Sequence, residues 1–185
     1  MIADKRLRTG VQLSFAMAAL IALAGCASSA DPTAMTVAPQ ASDKAFPERL
    51  QHAMCVRNVT GGEPTNPLWA SKVDNDGFKA ALGTSLDSAG LTAPADKCAY
   101  PVDVNLLGLS QPTIGFDMTV TSHVNYKVYD ASGTPYLLDT VDAPFTATVS
   151  DAFVGVERLK LANEGSIRES IKQFFDKLRT FEPKP

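Results

Sequence analysis

The clearest pattern along the chain is a strict alternation between positions 116 and 128. Phe116, Met118, Val120, Val124, Tyr126 and Val128 fall on one side, and Asp117, Thr119, Thr121, His123, Asn125 and Lys127 on the other. A period of two over this length predicts a long strand with one apolar and one polar face, interrupted on the apolar side only by Ser122. Asp130, Ala131, Ser132 and Gly133 predict a turn, and the return strand carries Val141, Ala143, Phe145, Ala147 and Val149 on its apolar side. Pro144 cannot donate a ladder hydrogen bond, which predicts a sheet edge or a bulge there.

Upstream, a strand is expected over His52 to Val59, ended by Gly61 and Gly62, and another over Val102 to Leu109. Between them Phe78, Ala81, Leu82, Leu86 and Ala89 recur at helical spacing. Asp74 or Asn75 stands as N-cap, Gly90 as a left-handed C-cap, and Leu91 as the apolar contact of that cap. A second helix is expected from the stripe Ile167, Ile171, Phe174, Phe175 and Leu178. Ser166 with Glu169 match a capping box, an earlier start near Leu161 is compatible, and Pro183 and Pro185 stop it. The order is βαβββα. The simplest architecture is α+β: a single, mostly antiparallel sheet of about four strands with two helices on one face.

The N-terminus departs from this pattern. Lys5, Arg6 and Arg8 precede an apolar stretch from Val11 to Leu23, the layout of a secretory signal and too short for a permanent membrane span of roughly 20 residues. Leu23, Ala24, Gly25 and Cys26 then resemble the bacterial lipobox, in which the cysteine thiol receives diacylglycerol before cleavage. Several acyl chains on Cys26 would anchor the chain stably. In that class an Asp after the cysteine favours retention in the inner membrane. Here the residue is Ala27, so the resemblance implies the outer membrane. From Ala27 to about Phe46 the chain is rich in Ala, Ser, Thr and Pro, with Pro32 and Pro39, and is expected to be a disordered tether reaching on the order of 25 Å. The organisation expected is therefore a signal at 1–25, Cys26 and tether at 26–46, one domain at 47–181 and a short tail at 182–185.

Cleavage before Cys26 leaves 160 of the 185 residues, with 14 basic against 19 acidic side chains. A mildly acidic domain lacks the counterion-release term that drives nucleic-acid binding, so that class of partner is disfavoured. In an oxidising compartment Cys55 and Cys98 are expected to form a structural disulfide rather than stay free. They make a poor metal site, since only His52 and His123 could complete a tetrahedral set.

Candidate chemistry is sparse. His123 and Asp117 share a strand face but lie roughly 20 Å apart along it, too far for acid–base partnership, so His123 reads as a solvated strand residue. His52 stands alone. Ser residues lie in no G-x-S-x-G frame, Gly61-Gly62 lacks the rest of a phosphate cradle, and the hexapeptide period of a β-helix acyltransferase is missing. No catalytic residue and no cofactor is assigned. Trp69, in a Pro-rich loop, reads as a lid over the core or, with Leu68, as an exposed partner contact. The Thr119, Thr121, His123 and Asn125 row is a second candidate surface.

The lipobox, the Phe78 to Leu91 helix, the hairpin around Asp130 to Gly133 and the run Arg158 to Glu164 together resemble small outer-membrane lipoproteins, including the lipopolysaccharide-assembly lipoprotein and other envelope-assembly accessory lipoproteins. The resemblance is one of element order and transfers no functional residue. It implies a membrane-anchored, non-enzymatic accessory or scaffold with an envelope protein as partner. The alternative is a lipoprotein that binds a small amphiphile between sheet and helices, which predicts an internal apolar cavity; an enzyme would need His52 or His123 brought against a carboxylate.

Overall fold

A computed structural model describes residues 27–67 and 70–180. A short N-terminal helix α1 (Pro32–Met35) is followed by β1 (Met54–Thr60), α2 (Asn75–Ser88), β2 (Tyr100–Ser110), β3 (Met118–Tyr129), β4 (Pro135–Ala147) and the long α3 (Gly155–Thr180). The four strands form one sheet in the order β1-β2-β3-β4. Strands β2, β3 and β4 are an antiparallel meander, while β1 pairs parallel to β2, the pairing that a helical crossover such as α2 permits. The α+β class, the four-stranded sheet and the order βαβββα agree with the sequence pattern. Pro144 lies on β4, an edge strand, so its missing N–H breaks no inner ladder.

Both larger helices cover the apolar face, α2 over β1 and α3 over β3 and β4. Val102, Val104, Val120, Val124, Tyr126, Val128 and Val141 from the sheet meet Phe78, Leu82, Ile167, Ile171, Phe174 and Phe175 from the helices, all buried. The Tyr126 ring stacks on Phe174 with centroids 4.3 Å apart. Its hydroxyl shares a 3.0 Å hydrogen bond with Ser170 Oγ, and burial pushes the phenol pKa up. Ser122, the one polar residue of the apolar row, is fully buried and donates to the Ser166 carbonyl at 3.0 Å. Small hydroxyl residues thus follow α3 at one-turn intervals opposite β3, where the helix runs close to the sheet. Closest of all is Gly165, where an added Cβ would stand 2.1 Å from Phe145 Cδ1.

Helix α2 begins as its cap predicts, with the Asp74 carboxylate accepting from Gly77 N–H at 2.7 Å. After the Ala89 C-cap the chain turns away at Gly90, whose φ of +69° is the left-handed conformation glycine tolerates, and Leu91 behind it is fully buried. Helix α3 corrects the sequence reading. It starts at Gly155, and Ser166 lies buried in mid-helix with its hydroxyl donating to the Asn163 carbonyl, so the apparent capping box caps nothing. A capping box is a local spacing, and the same spacing occurs by chance where a Ser faces a helix–sheet crossing.

The expected tether is corrected as well. The described part of it, from Ala27, packs on the domain: Asp31 caps α1, Pro32 opens it, and Met35 is fully buried in the core. The Asp31 N–H donates to Glu164 Oε1 at 2.8 Å, Arg168 donates to the Ala34 carbonyl, and Val37 N–H donates to Ser85 Oγ at 2.9 Å. Further on, Arg179 holds Asp43 at 2.8 Å and the Phe46 ring. One large apolar residue, Met35, and a set of partners distant in sequence outweigh a composition that taken alone suggests disorder. The expected signal at 1–25, Cys26, and the tail from 182 lie outside the described residues, as do Leu68 and Trp69.

Candidate functional site

The polar sheet face carries an array that the sequence did not suggest. A register shift between Leu106 and Gly108 places His123 of β3 opposite Gly108 on one side and Asp142 of β4 on the other. His123 Nδ1 lies 2.7 Å from Asp142 Oδ1, and its Nε2 lies 2.9 Å from Ser110 Oγ, at the end of β2. With open space over Gly108, the imidazole reaches diagonally to Ser110. Serine, histidine and aspartate are connected here in the sense of a hydrolytic relay. The setting differs from that of such a relay: the His123 side chain is 36% and the Asp142 side chain 66% exposed, on the open face of a sheet. Water screens the carboxylate there, whereas transition-state stabilisation rests on donors fixed in a water-excluded site. The array orients three side chains across three strands. Asp117, the carboxylate weighed in the sequence, precedes β3 and has no part in it. His52 sits in the turn before β1, where its backbone N–H donates to the Gly90 carbonyl.

Farther along the same face, Arg57 grips Asp103 with two bonds of 2.8 and 2.6 Å and lies over the Tyr129 ring at 4.6 Å. The Arg57 hydrogen bond holds the Asp103 carboxyl below its ordinary pKa, against a smaller opposing effect of burial. Asn58, Asn105, Asn125 and Lys127 line a shallow groove of about 180 Å³ beside this pair. The Thr119 and Thr146 hydroxyls pair at 2.8 Å nearer the other end. The polar row is therefore mostly engaged in cross-strand hydrogen bonds.

A different site forms at the end of the sheet where β2 passes into β3 and β4 into α3. The β2–β3 loop, Ala70, Met118 and the first turns of α3 line an open cavity of about 550 Å³, with Pro112, Ile114, Arg158 and Leu159 in its wall. Its frame is polar and buried. Gln111 Nε2 donates to Asn163 Oδ1 at 2.7 Å and to the Ser71 carbonyl at 3.1 Å, and Asn163 Nδ2 donates to that carbonyl at 2.9 Å. Arg158 Nη1 donates to the carbonyls of Ala152 and Phe153 at 2.7 and 2.6 Å, tying loop 148–154 down on α3. Within this loop Asp151 accepts from the Thr148 backbone and hydroxyl, which lower its carboxyl pKa.

The rim of this end is apolar and open to solvent. Ile114, Phe116 and Phe153 are 88%, 86% and 88% exposed. Phe116 corrects the strand pattern: β3 begins at Met118, and the ring that alternation assigned to the buried row stands out from the β2–β3 loop. Alternation cannot detect that a strand has not yet started. Ala27 joins the same end through its N–H, which donates to the Pro67 carbonyl at 2.9 Å. Ala70, three residues on, lines the cavity, and Ser71 belongs to its polar frame. Near the other end of the sheet, Cys55 and Cys98 are joined by a disulfide that ties β1 to the approach of β2.

No family model matches the chain, and no curated protein matches it. Solved structures are similar in fold. Protein XCC0632 from Xanthomonas campestris, of family-model DUF330, aligns over 77% of this chain and 94% of its own, with 13% identity and a TM-score of 0.52. A minor lipoprotein from Acinetobacter baumannii aligns over 68% of this chain and 92% of its own at 16% identity, with a TM-score of 0.42. The hypothetical protein CT253 from Chlamydia trachomatis aligns over 70% and 95% at 9% identity, with a TM-score of 0.48. The likeness to the Xanthomonas protein is one of architecture: an open α+β sheet with helices on one face.

Proposed function

We propose that this chain is an envelope lipoprotein, acylated on Cys26, facing the periplasm from the outer membrane, and acting as a non-enzymatic accessory or scaffold for an envelope protein. The observation that carries this reading over the amphiphile carrier is the filled interior. Tyr126, Phe174, Phe175, Ile167 and Ile171 occupy the space between sheet and helices, where a carrier needs room for its ligand. The open setting of Ser110, His123 and Asp142 supports a non-enzymatic role. The lipobox Leu23 to Cys26 supports the anchor, and Ala27 after the cysteine supports the outer membrane.

The test is crosslinking in intact cells followed by affinity recovery, with Cys26→Ala as the control for membrane placement. Reproducible capture of envelope-assembly proteins, lost with Cys26→Ala, is the expected result. Co-purification of a lipid with no protein enriched would replace the scaffold by a carrier. Covalent labelling of Ser110 by a fluorophosphonate, abolished by His123→Ala, would make the chain a hydrolase.

A further inference from the structure

Three large apolar side chains that could have been buried stand in water at one end of the domain. Ile114 and Phe116 lie on the β2–β3 loop and Phe153 on the β4–α3 loop. Side chains of this size expose on the order of 500 Å² together, within the range of patches that mark interaction surfaces on a monomer. Arg158 holds the Phe153 carbonyl and lines the cavity that Ile114 also lines, so one side chain of the cavity wall ties the β4–α3 loop to this end. The patch is not a disordered tip. Gln111, Asn163 and Ser71 lock its base by buried hydrogen bonds, and the Asp151–Thr148 bonds fold the second loop.

What covers the patch is indicated by where the chain enters the domain. Ala27 is buried, and its N–H donates to the carbonyl of Pro67, three residues before Ala70, which lines the same cavity. Segment 31–43 then runs along α3 from Glu164 to Arg179, away from that end. Cys26 is the covalent neighbour of Ala27, and adjacent Cα atoms are about 3.8 Å apart. An acylated Cys26 would therefore carry its lipid next to this end of the domain.

We propose that the end bearing Ile114, Phe116 and Phe153 is a membrane-contact face, its apolar rim inserted into the headgroup–acyl boundary of the bilayer that holds the Cys26 lipid. The inference rests on the reading of Cys26 as acylated. The acyl chains supply the anchor, and the rim fixes the orientation, so that the His123 face and the disulfide end have defined positions relative to the bilayer. Insertion of apolar side chains by roughly 5–10 Å is the depth such interfacial contacts reach.

The full chain, purified from membranes and reconstituted in phosphatidylethanolamine–phosphatidylglycerol vesicles, tests this. A Phe116→Trp substitution in a Trp69→Phe background is compared with Leu138→Trp, an exposed site near the opposite end of β4. Lipids brominated in the acyl chain should quench the emission of the Phe116→Trp protein about two-fold and leave the Leu138→Trp protein unchanged, because only the first residue enters the apolar boundary. Amide exchange of unsubstituted protein is the second measurement: segments 111–117 and 148–154 should slow on vesicles relative to detergent, and 130–134 should not. Absence of quenching together with unchanged exchange overturns the contact face, as does equal quenching at both sites. Mass spectrometry of the same preparation reads the acyl chains on Cys26 separately, so loss of the anchor reading and loss of the contact face are distinct results.

Discussion

Replacing Gly165 by alanine sets two effects of opposite sign against each other. In a helix interior the change is favourable by about 0.8–1.0 kcal/mol through backbone entropy. Here the new Cβ would meet the Phe145 ring at 2.1, 2.3 and 2.5 Å from three of its carbons. Carbon atoms in contact sit at roughly 3.5–4.0 Å, so the ring must retreat by about 1.5 Å, and with it its stacking under the Arg168 guanidinium. Overpacking of this kind costs about 1–3 kcal/mol. The net expectation for Gly165→Ala is a destabilisation of about 0–2 kcal/mol, read as a fall in the urea midpoint without a change in slope. In a Phe145→Ala background the clash is gone, and the same substitution should stabilise by about 1 kcal/mol. A double-mutant cycle then returns a coupling of roughly 2 kcal/mol. A Gly165→Ala protein that gains stability to the same extent in both backgrounds refutes the close approach of α3 to β4.

The remaining predictions concern other parts of the fold. Replacing both Cys55 and Cys98 by alanine opens a loop of 43 residues and should lower stability by about 4 kcal/mol in the chain-entropy model, measured by urea unfolding against the oxidised parent. Asn163→Ala removes a donor from the Ser71 carbonyl and the acceptor of Gln111, so a loss of about 2 kcal/mol is expected with faster amide exchange in residues 62–73; no change there would refute the buried frame. Burial raises the Glu164 carboxyl pKa above its ordinary 4.5, opposed in part by the Asp31 N–H and by Lys160. The folded state therefore holds the proton more tightly than the unfolded chain: the stability associated with that proton is full below pH 4.5 and is lost as pH rises through the folded value. Glu164→Gln, which keeps an acceptor for Asp31, should flatten this part of the stability–pH curve, and an unchanged profile would count against it.

The filled core and the apolar end assign different roles to two halves of one surface pattern. Apolar residues of β3 from Met118 onward face α3 and are spent on cohesion, whereas Phe116, two residues earlier and in the same phase, lies on a loop and is free to meet something else. The hydrogen-bonded polar face has a comparable ambiguity. Arg57 with Asp103, and His123 with Asp142, are cross-strand pairs of the kind that stabilise any half-exposed sheet, and they also give that face a patterned array of charges.

How much of this was legible in advance depended on the range of the interaction. Elements set by local periodicity were readable: β3 and β4 from alternation, and α2 from its apolar stripe between Asp74 and Gly90, while Pro144 left an edge or a bulge open and the strand order decided for the edge. From these the α+β class and the order βαβββα followed, because a strand or helix with one apolar face must bury that face against another. The pairing of Cys55 with Cys98 was readable by count and compartment. Contacts between residues far apart in the chain were not. Whether 27–46 hangs free or packs depends on Met35 finding the core and Asp31 finding Glu164, 133 positions away. The union of Ser110, His123 and Asp142 depends on the β3–β4 register that sets His123 opposite Asp142 and on a one-residue shift in β2 that brings Gly108 opposite His123, neither of which the hydrophobic pattern of a single strand records. The apolar end exists only because two loops and the chain's entry point converge there. Sequence by itself determined the four strands, the two larger helices and their order, since each is stabilised by neighbours within a few positions; the start of α3, register, the docking of the N-terminal segment with α1 and the exposure of Phe116 were decided by the tertiary structure, where the partners come from other strands and helices.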